Sequence, residues 1–305
     1  MNRVMTIVVE GLVKRYGEKV AVKDVSFTVE PGHIFGLIGP NGSGKTTTLR
    51  ILAGLIRSDE GRVRILGREP AKVLSKMGCV FEFPNLYPYL TGYDNIRLLI
   101  PRSNPSNEYI STAARELDIE YALNRKVKSY SLGMKQRLII AAMLIKNPDV
   151  WILDEPTTGL DAEGSEVLHS LLRKEAEKGK TIILSSHALN GIETWITDFG
   201  IIKHGVLIQS GTIEDFVQTS PKRLTLLYSL DKVQYAASVL STLGIQNVFH
   251  DNPPRLVIDD THSYAVTERL LQELSAKELL PLEYRWEHTS FSDFYLKQVS
   301  GGADS

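Results

Sequence analysis

One glycine-rich stretch carries the clearest chemistry in the sequence: residues 39–47 read Gly-Pro-Asn-Gly-Ser-Gly-Lys-Thr-Thr. The stretch fits the pattern G-x-x-x-x-G-K-[ST], with an apolar run before it and helically spaced apolar residues after it. Glycines allow consecutive backbone N–H groups to turn toward an anion, and the free N–H groups at the start of a helix add a favourable dipole. The stretch therefore predicts a binding site for nucleotide phosphates.

The residue types in this stretch indicate separate roles. We expect Lys45 to reach the β- and γ-phosphates and the Thr46 hydroxyl to ligate Mg²⁺. The alternative is a glycine-rich turn without a ligand, and the strand and helix that flank the stretch favour the phosphate site. The predicted nucleotide contacts of the stretch are Gly39, Asn41, Gly42, Ser43, Gly44, Lys45, Thr46 and Thr47.

Two carboxylates follow a second apolar run, in residues 150–155, Val-Trp-Ile-Leu-Asp-Glu. At the carboxyl end of a buried parallel strand they would lie where open α/β sheets bind ligands. Asp154 can hold Mg²⁺ directly or through water, and Glu155 can polarise an attacking water as general base. His187 follows another apolar run, so we expect it at the same edge, near a γ-phosphate. The alternatives are a solubilising strand end and a structural histidine.

Two further sites are open to more than one interpretation. Ser131 and Gly133 come just before a helical pattern, so they form either a second phosphate contact or a plain helix cap. Tyr16 lies in a loop of the N-terminal β-rich segment, where its ring could stack on a purine or pack as an ordinary aromatic residue.

Composition limits the kind of protein. The chain has 305 residues with 43% hydrophobic content, enough for two domains, and its net charge of −1 predicts no nucleic-acid or anionic-membrane surface. No apolar run approaches the length of a membrane span, so we expect a soluble chain. The single cysteine, Cys79, can form no internal disulfide, lies in an apolar stretch and is predicted to belong to the core of a protein of the reducing cytosol.

The patterns predict two domains. The first covers residues 4–220 as an α/β domain with an antiparallel β subdomain, and a Pro/Tyr-rich segment leads into a helical subdomain at about 83–147. Residues 221–299 follow the order β-α-β-β-α-β, which is typical of a small ferredoxin-like α+β domain. Residues 300–305 form a tail.

In order and spacing, these motifs resemble the ATP-binding subunit of an ABC transporter, over about 4–220 and more weakly beyond. The resemblance implies the P-loop NTPase fold of ABC ATPase domains, ATP hydrolysis, and ATP and Mg²⁺ as cofactors. The matching positions are Tyr16 for the adenine-stacking loop, 39–47 for Walker A, Glu82 for the Q-loop, 131–135 for the signature loop, 153–155 for Walker B, 159–161 for the D-loop and His187 for the switch histidine.

The resemblance also implies partners. Two such domains, in a homodimer or heterodimer, meet head to tail, so Ser131 and the Gly133 N–H would complete a partner's ATP site. Asp161 is expected to contact nucleotide as well. A transmembrane permease would dock near residues 83–90 and hold the subunit at the cytoplasmic face of the membrane. Glu82 would join Thr46 and Asp154 as a metal ligand.

Two departures from the family pattern point to a subgroup. Glu82 stands where the family usually has Gln, and Ser-Leu-Gly-Met stands where it usually has Ser-Gly-Gly-Gln. A carboxylate is a stronger Mg²⁺ ligand than an amide but adds negative charge near the triphosphate. With the C-terminal extension, these features resemble exporter subunits that serve two-subunit permeases, including antibiotic and lantibiotic self-protection systems.

Two other functions compete with export. A soluble ABC ATPase acting on ribosomes or nucleic acid usually carries two linked ATP domains or long coiled coils, and this sequence has no second P-loop and no sustained heptads. A small-molecule P-loop kinase does not account for residues 131–137 or His187. An exporter ATPase is therefore the leading hypothesis.

Overall fold

The computed structural model describes residues 5–81, 86–101, 104–189, 191–220, 222–259, 264–288 and 290–300. The chain divides into two compact units, one of Met1–Ile213 with Gln298–Ser305 and one of Glu214–Lys297. The division falls just before residue 214, whereas the sequence analysis set the domain boundary at 220–221.

A six-stranded sheet forms the centre of the first unit. Its order is β5-β6-β7-β3-β8-β9, in which all neighbours are parallel except the antiparallel pair β8 and β9. Strands β3, β6 and β7 are buried along their whole length, because they lie inside the sheet. The strands of this sheet are β3 Ile34–Ile38, β5 Met77–Val80, β6 Val150–Leu153, β7 Thr181–Ser186, β8 Asp198–Lys203 and β9 Val206–Thr212.

A separate antiparallel sheet has the order β2-β1-β4 and confirms the predicted antiparallel β subdomain. Its apolar face shares one core with the six-stranded sheet, and Phe27 stacks on Phe35 with ring centroids 4.7 Å apart. The shared core fixes the position of the loops of one sheet relative to the strand ends of the other. The strands are β1 Ile7–Tyr16, β2 Lys19–Val29 and β4 Glu60–Ile65.

Five α-helices lie wholly within the described residues of the first unit. The N-termini of four of them are capped by side chains that accept a backbone N–H bond from the third following residue, which satisfies an otherwise free donor. The caps are Thr91, Ser106, Ser131 and Asp161. The helices are α1 Lys45–Leu52, α2 Gly92–Leu99, α3 Asn107–Arg115, α4 Leu132–Lys146 and α5 Ala162–Glu177. Short 3-10 helices lie at Pro70–Lys72, Leu74–Lys76, Glu120–Ala122, Val127–Ser129 and Ile192–Thr194.

The second unit has the predicted order β-α-β-β-α-β. Its antiparallel sheet has the order β11-β12-β10-β13, the split βαβ arrangement of ferredoxin-like domains. Leu224, Leu226 and Leu256 pack from the sheet onto Val233 and Leu240 of α7. The elements are β10 Lys222–Leu227, α7 Leu230–Thr242, β11 Val248–Asp251, β12 Pro254–Asp259, α8 Tyr264–Ala276 and β13 Glu283–His288, with α6 Ile213–Thr219 before them and α9 Phe291–Ser300 after them.

Cys79 departs from its prediction. It lies on β5, the edge strand of the six-stranded sheet, and its side chain is exposed, so its assignment to the core is wrong. Apolar residues of an edge strand are covered on fewer sides than those of inner strands. Although the side chain reaches the surface, neighbouring protein still removes part of the water around the sulfur. This desolvation disfavours the thiolate and raises the pKa of Cys79 to about 11, while the positive charge of Lys146 acts in the opposite direction.

No apolar run in the sequence is long enough to predict a membrane span. In the part of the chain that the structure describes, no helix is both long and apolar enough to cross a membrane.

Candidate nucleotide site

The glycine-rich stretch connects the carboxyl end of β3 to the start of α1, as predicted. Gly42 and Gly44 have φ angles of 77° and 111°, in the left-handed region that glycine adopts at low cost. A Cβ on Gly39 would lie 2.2 Å from the Ile202 carbonyl oxygen, and one on Gly44 would lie 2.6 Å from that of Ala21. A side chain at either position would therefore collide with backbone, so the loop requires glycine at both.

Lys45 bends back over this loop. Its Nζ donates hydrogen bonds to the carbonyl oxygens of Gly39, at 2.7 Å, and Pro40, at 3.2 Å. The same ammonium lies 3.4 Å from Glu155 Oε1, and both side chains are largely buried. A buried cation at this position provides charge for an anionic ligand.

Asp154 follows β6 and is 1% exposed. Its Oδ1 accepts hydrogen bonds from Ser185 Oγ, at 2.7 Å, and from Thr46 Oγ1, at 3.2 Å. The two predicted metal ligands Thr46 and Asp154 are thus adjacent, and oxygen ligands suit Mg²⁺, which usually keeps several waters and phosphate oxygens in its shell. The described residues contain no group of three or more His, Cys, Asp or Glu side chains that could hold a metal. The third predicted ligand, Glu82, lies outside the described residues.

Glu155 connects Lys45 to His187. Its Oε2 accepts hydrogen bonds from His187, 2.8 Å from Nδ1 and 3.4 Å from the backbone N. Glu155 has a φ of 49°, which is unusual for a residue with a side chain, and its backbone N–H donates to Ser185 Oγ at 2.9 Å. Ser185 thus holds the backbone of Glu155, and the Glu155 carboxylate lies between Lys45 and His187.

A cavity of about 450 Å³ brings most of the predicted residues together. It joins the aromatic residue of the antiparallel sheet to the glycine-rich stretch, the acidic strand end and the histidine. Its lining residues are Tyr16, Lys19, Ala21, Asn41, Gly42, Gly44, Lys45, Thr46, Thr47, Glu155, Thr158 and His187. Beside it, Ser43 Oγ is buried and has no hydrogen-bond partner among the described residues, which leaves a donor for an oxygen-rich ligand.

Gly39, Ser43 and Asp154 lie next to lining residues without lining the cavity themselves, whereas Ser131, Gly133 and Asp161 belong to other parts of the chain. Ser131 caps α4 by accepting a hydrogen bond from the Met134 N–H at 3.2 Å. Asp161 caps α5 by accepting one from the Gly164 N–H at 2.8 Å. Gly133 approaches the D-loop, because a Cβ there would lie 2.5 Å from the Gly159 carbonyl oxygen. Ser131 and Asp161 are exposed and Gly133 is buried beside them, and the three residues form a second surface.

Arg137 holds this second surface together. Its guanidinium lies 3.1 Å from Asp161 Oδ1 and 3.2 Å from Asp118 Oδ2. The Gly164 N–H and then the Arg137 charge hold the pKa of Asp161 below its usual value. No sequence motif marks Arg137, nor Lys19, Ala21 and Thr158 of the cavity. Of these four residues, only Thr158 could have been assigned to the site from local sequence, because it follows Glu155 closely along the chain.

These features define the class of protein: a P-loop nucleotide-binding protein, in which a glycine-rich loop, an acidic strand end and a histidine surround one cavity. The model of the ABC transporter family matches residues 22–158. The chain is 33% identical to the bacitracin transport ATP-binding protein BcrA of Enterococcus faecalis, over 96% of each chain. It is 37% identical to the lantibiotic transport ATP-binding protein SrtF of Streptococcus pyogenes, over 66% of this chain and 88% of that protein. The chain therefore belongs to the ATP-binding proteins of ABC transporters.

A solved structure agrees with this assignment. A dimeric, post-hydrolysis ATP-binding cassette bound to ADP and phosphate matches with a TM-score of 0.63 and 28% identity, over 68% of this chain and 98% of that chain. The chain is thus the ATP-binding and ATP-hydrolysing subunit of an ABC transporter. Such cassettes form dimers and act with a transmembrane partner. The comparisons favour this function over an ATPase of ribosomes or nucleic acid.

Proposed function

We propose that this subunit drives the export of antibiotic-like compounds through a separate permease. The observation that carries the proposal is the match to a bacitracin transport ATP-binding protein over 96% of this chain, a match that includes the C-terminal unit. The match to a lantibiotic transport ATP-binding protein supports the same substrate class. The subunit would lie at the cytoplasmic face of the membrane, with no nucleic-acid partner.

We further propose that the permease docks near residues 83–90. Residues 83–85 lie outside the described residues, but the rest of the segment supports the proposal. Tyr87 and Tyr89 are 60% and 74% exposed, and Lys128 Nζ lies 5.9 Å from the ring centroid of Tyr89. Exposed aromatic side chains are typical of the anchors of protein interfaces.

The cavity supports a specific division of roles during hydrolysis. The loop N–H groups and Lys45 bind the phosphates, and Tyr16 stacks on the base. Glu155 accepts the proton of the attacking water, and His187 keeps that carboxylate oriented and contacts the γ-phosphate. Mg²⁺ held by Thr46 and Asp154, with Glu82, would neutralise phosphate charge.

The contacts of Lys45 support a way in which nucleotide binding would prepare Glu155 to act as general base. In the structure its ammonium is shared between Glu155 and two carbonyl oxygens. A triphosphate carries far more negative charge than one carboxylate and would draw Lys45 away. Glu155 would then keep His187 as its partner and become a freer acceptor for a water proton.

The second surface supports the head-to-tail dimer, whether of two copies or with a related subunit. Ser131, Gly133 and Asp161 lie outside the protomer's own cavity, so their proposed nucleotide contacts require a partner's cavity. ATP would then bind the closed dimer better than the open one, shift the population toward closure, and allow opening after hydrolysis.

The test is antibiotic resistance in a sensitive bacterium that expresses the chain with its permease. We expect a higher inhibitory concentration of bacitracin or a lantibiotic with the parent chain and no increase with E155Q as the matched control. Purified with the permease, the parent's ATPase rate should rise with the same compound. A chain that gives no resistance and instead sediments with ribosomes would contradict the proposal.

A further inference from the structure

The stacking residue Tyr16 ends strand β1, and the strand is irregular just before it. The pairing of β1 with β2 shifts between Leu12 and Lys14 and again between Lys14 and Arg15. An irregular strand end leaves backbone groups without their usual partners in the ladder. Tyr16 itself pairs with Lys19 of β2 but is 50% exposed, so burial does not fix its ring.

Asp59, which immediately precedes β4, forms hydrogen bonds with the end of β1. Its Oδ2 accepts a hydrogen bond from the Arg15 N–H, at 2.5 Å, and its Oδ1 accepts one from Lys14 Nζ, at 2.9 Å. The Asp59 N–H in turn donates to the Val13 carbonyl oxygen at 2.9 Å. One residue therefore holds three successive residues of the strand that ends in Tyr16.

The lysine held by Asp59 also contacts the ring. Lys14 Nζ lies 5.6 Å from the centroid of Tyr16, within the range of a cation–π contact. The Lys14 side chain is 15% exposed, and among the described residues it does not line the nucleotide cavity, whereas Tyr16 does. The ammonium thus lies over one face of a ring that also lines the cavity.

We propose that Asp59 and Lys14 are positioning residues for the nucleotide base, acting through Tyr16. Asp59 fixes the end of β1 and holds Lys14 against the ring, so Tyr16 is preorganised for a purine. The inference rests on the proposed role of Tyr16. The Arg15 N–H, followed by Lys14, lowers the pKa of Asp59, which keeps its carboxylate ionised at neutral pH.

The test compares a ligand that has a base with one that lacks it, ADP with pyrophosphate, by calorimetry on the full chain. We expect D59A to raise the Kd of ADP about 3-fold, the size of an exposed cation–π contact, and to leave the Kd of pyrophosphate unchanged. Lys14→Met removes the charge but leaves the Arg15–Asp59 bond, and it should shift only the Kd of ADP.

Glu60→Ala is the matched control. Glu60 is the neighbouring carboxylate, pairs with the Arg15 guanidinium at 2.7 Å and has no contact with the Tyr16 ring, so both dissociation constants should stay at parent values. In a Y16A background, D59A should have no additional effect on ADP, because its effect passes through the missing ring.

The outcomes separate the two proposals. If Y16A weakens ADP binding and D59A does not, the positioning role is wrong and the stacking role stands. Equal weakening of ADP and pyrophosphate by D59A, or an additive effect in the double variant, also overturns the positioning role. If Y16A leaves the Kd of ADP unchanged, both proposals fail.

Discussion

Ser185 lies at the carboxyl end of β7 and donates a hydrogen bond of 2.7 Å to Asp154 Oδ1. The same hydroxyl accepts a bond of 2.9 Å from the Glu155 N–H. Ser185 is fully buried, so both bonds are sheltered from water. One hydroxyl thus fixes the carboxylate proposed to hold Mg²⁺ and the backbone of the residue proposed as general base.

Ser185→Ala should therefore slow hydrolysis more than it weakens binding. It leaves the Glu155 N–H without its acceptor, a loss of about 1–3 kcal/mol for a buried group, and we expect kcat to fall about 10-fold. The Kd of ATP measured without Mg²⁺ should stay at the parent value. Ser185→Thr keeps the hydroxyl and should restore kcat.

Thr181→Val is the control for this variant. Thr181 is buried at the opposite end of the same strand, and its hydroxyl donates to the Glu30 carbonyl oxygen at 3.4 Å. The variant should keep the parent kcat even if its melting temperature falls. Equal losses of kcat in S185A and T181V would mean that Ser185 only stabilises the strand.

Glu155→Gln tests the base directly. The amide is nearly the same size as the carboxylate but cannot accept a proton at neutral pH, so we expect turnover to fall by about 10² to 10⁴. ATP binding should persist, because Lys45 loses a competing anion, and the variant should accumulate as an ATP-bound dimer on gel filtration. Hydrolysis at the parent rate would show that another group acts as base.

The head-to-tail arrangement can be tested by mixing two inactive variants. Lys45→Ala removes the phosphate-binding cation, and Ser131→Ala removes the hydroxyl proposed to act in the partner's site. A mixed dimer that shares sites between protomers contains one site with both residues intact, so ATPase activity should return when the variants are mixed. If each protomer encloses its own nucleotide, the mixture will be as inactive as its components.

The pKa of Cys79 predicts how its thiol reacts with pH. A shift from the usual 9.0 to about 11 lowers the thiolate fraction at pH 8 about 100-fold. A thiolate of higher pKa is about tenfold more nucleophilic, so iodoacetamide should label the folded chain about tenfold more slowly than the chain unfolded in guanidinium, and the folded rate should rise about tenfold per pH unit until pH 10. Equal rates for the two forms at pH 8 would contradict the raised pKa.

Much of the architecture could be predicted from local sequence. The apolar runs before residues 39, 154 and 185 predicted buried strands, and parallel strands bring their carboxyl ends to one edge of a sheet. That rule alone placed Lys45, Glu155 and His187 together. The spacing of apolar residues after residue 221 likewise predicted the β-α-β-β-α-β order. Apolar residues recur at every second position along a half-buried strand and at every third or fourth position along a half-buried helix.

The sequence by itself thus determined the phosphate-binding loop, the acidic strand end and the class of fold, since each depends on neighbouring residues. Tertiary structure decided the contacts between distant residues: Ser185 with Asp154, Asp59 with Lys14, and Arg137 with Asp161. It also decided the exposure of Cys79 on an edge strand. These features depend on strand order and on how two sheets share a core, and those are properties of long-range packing that no local pattern encodes.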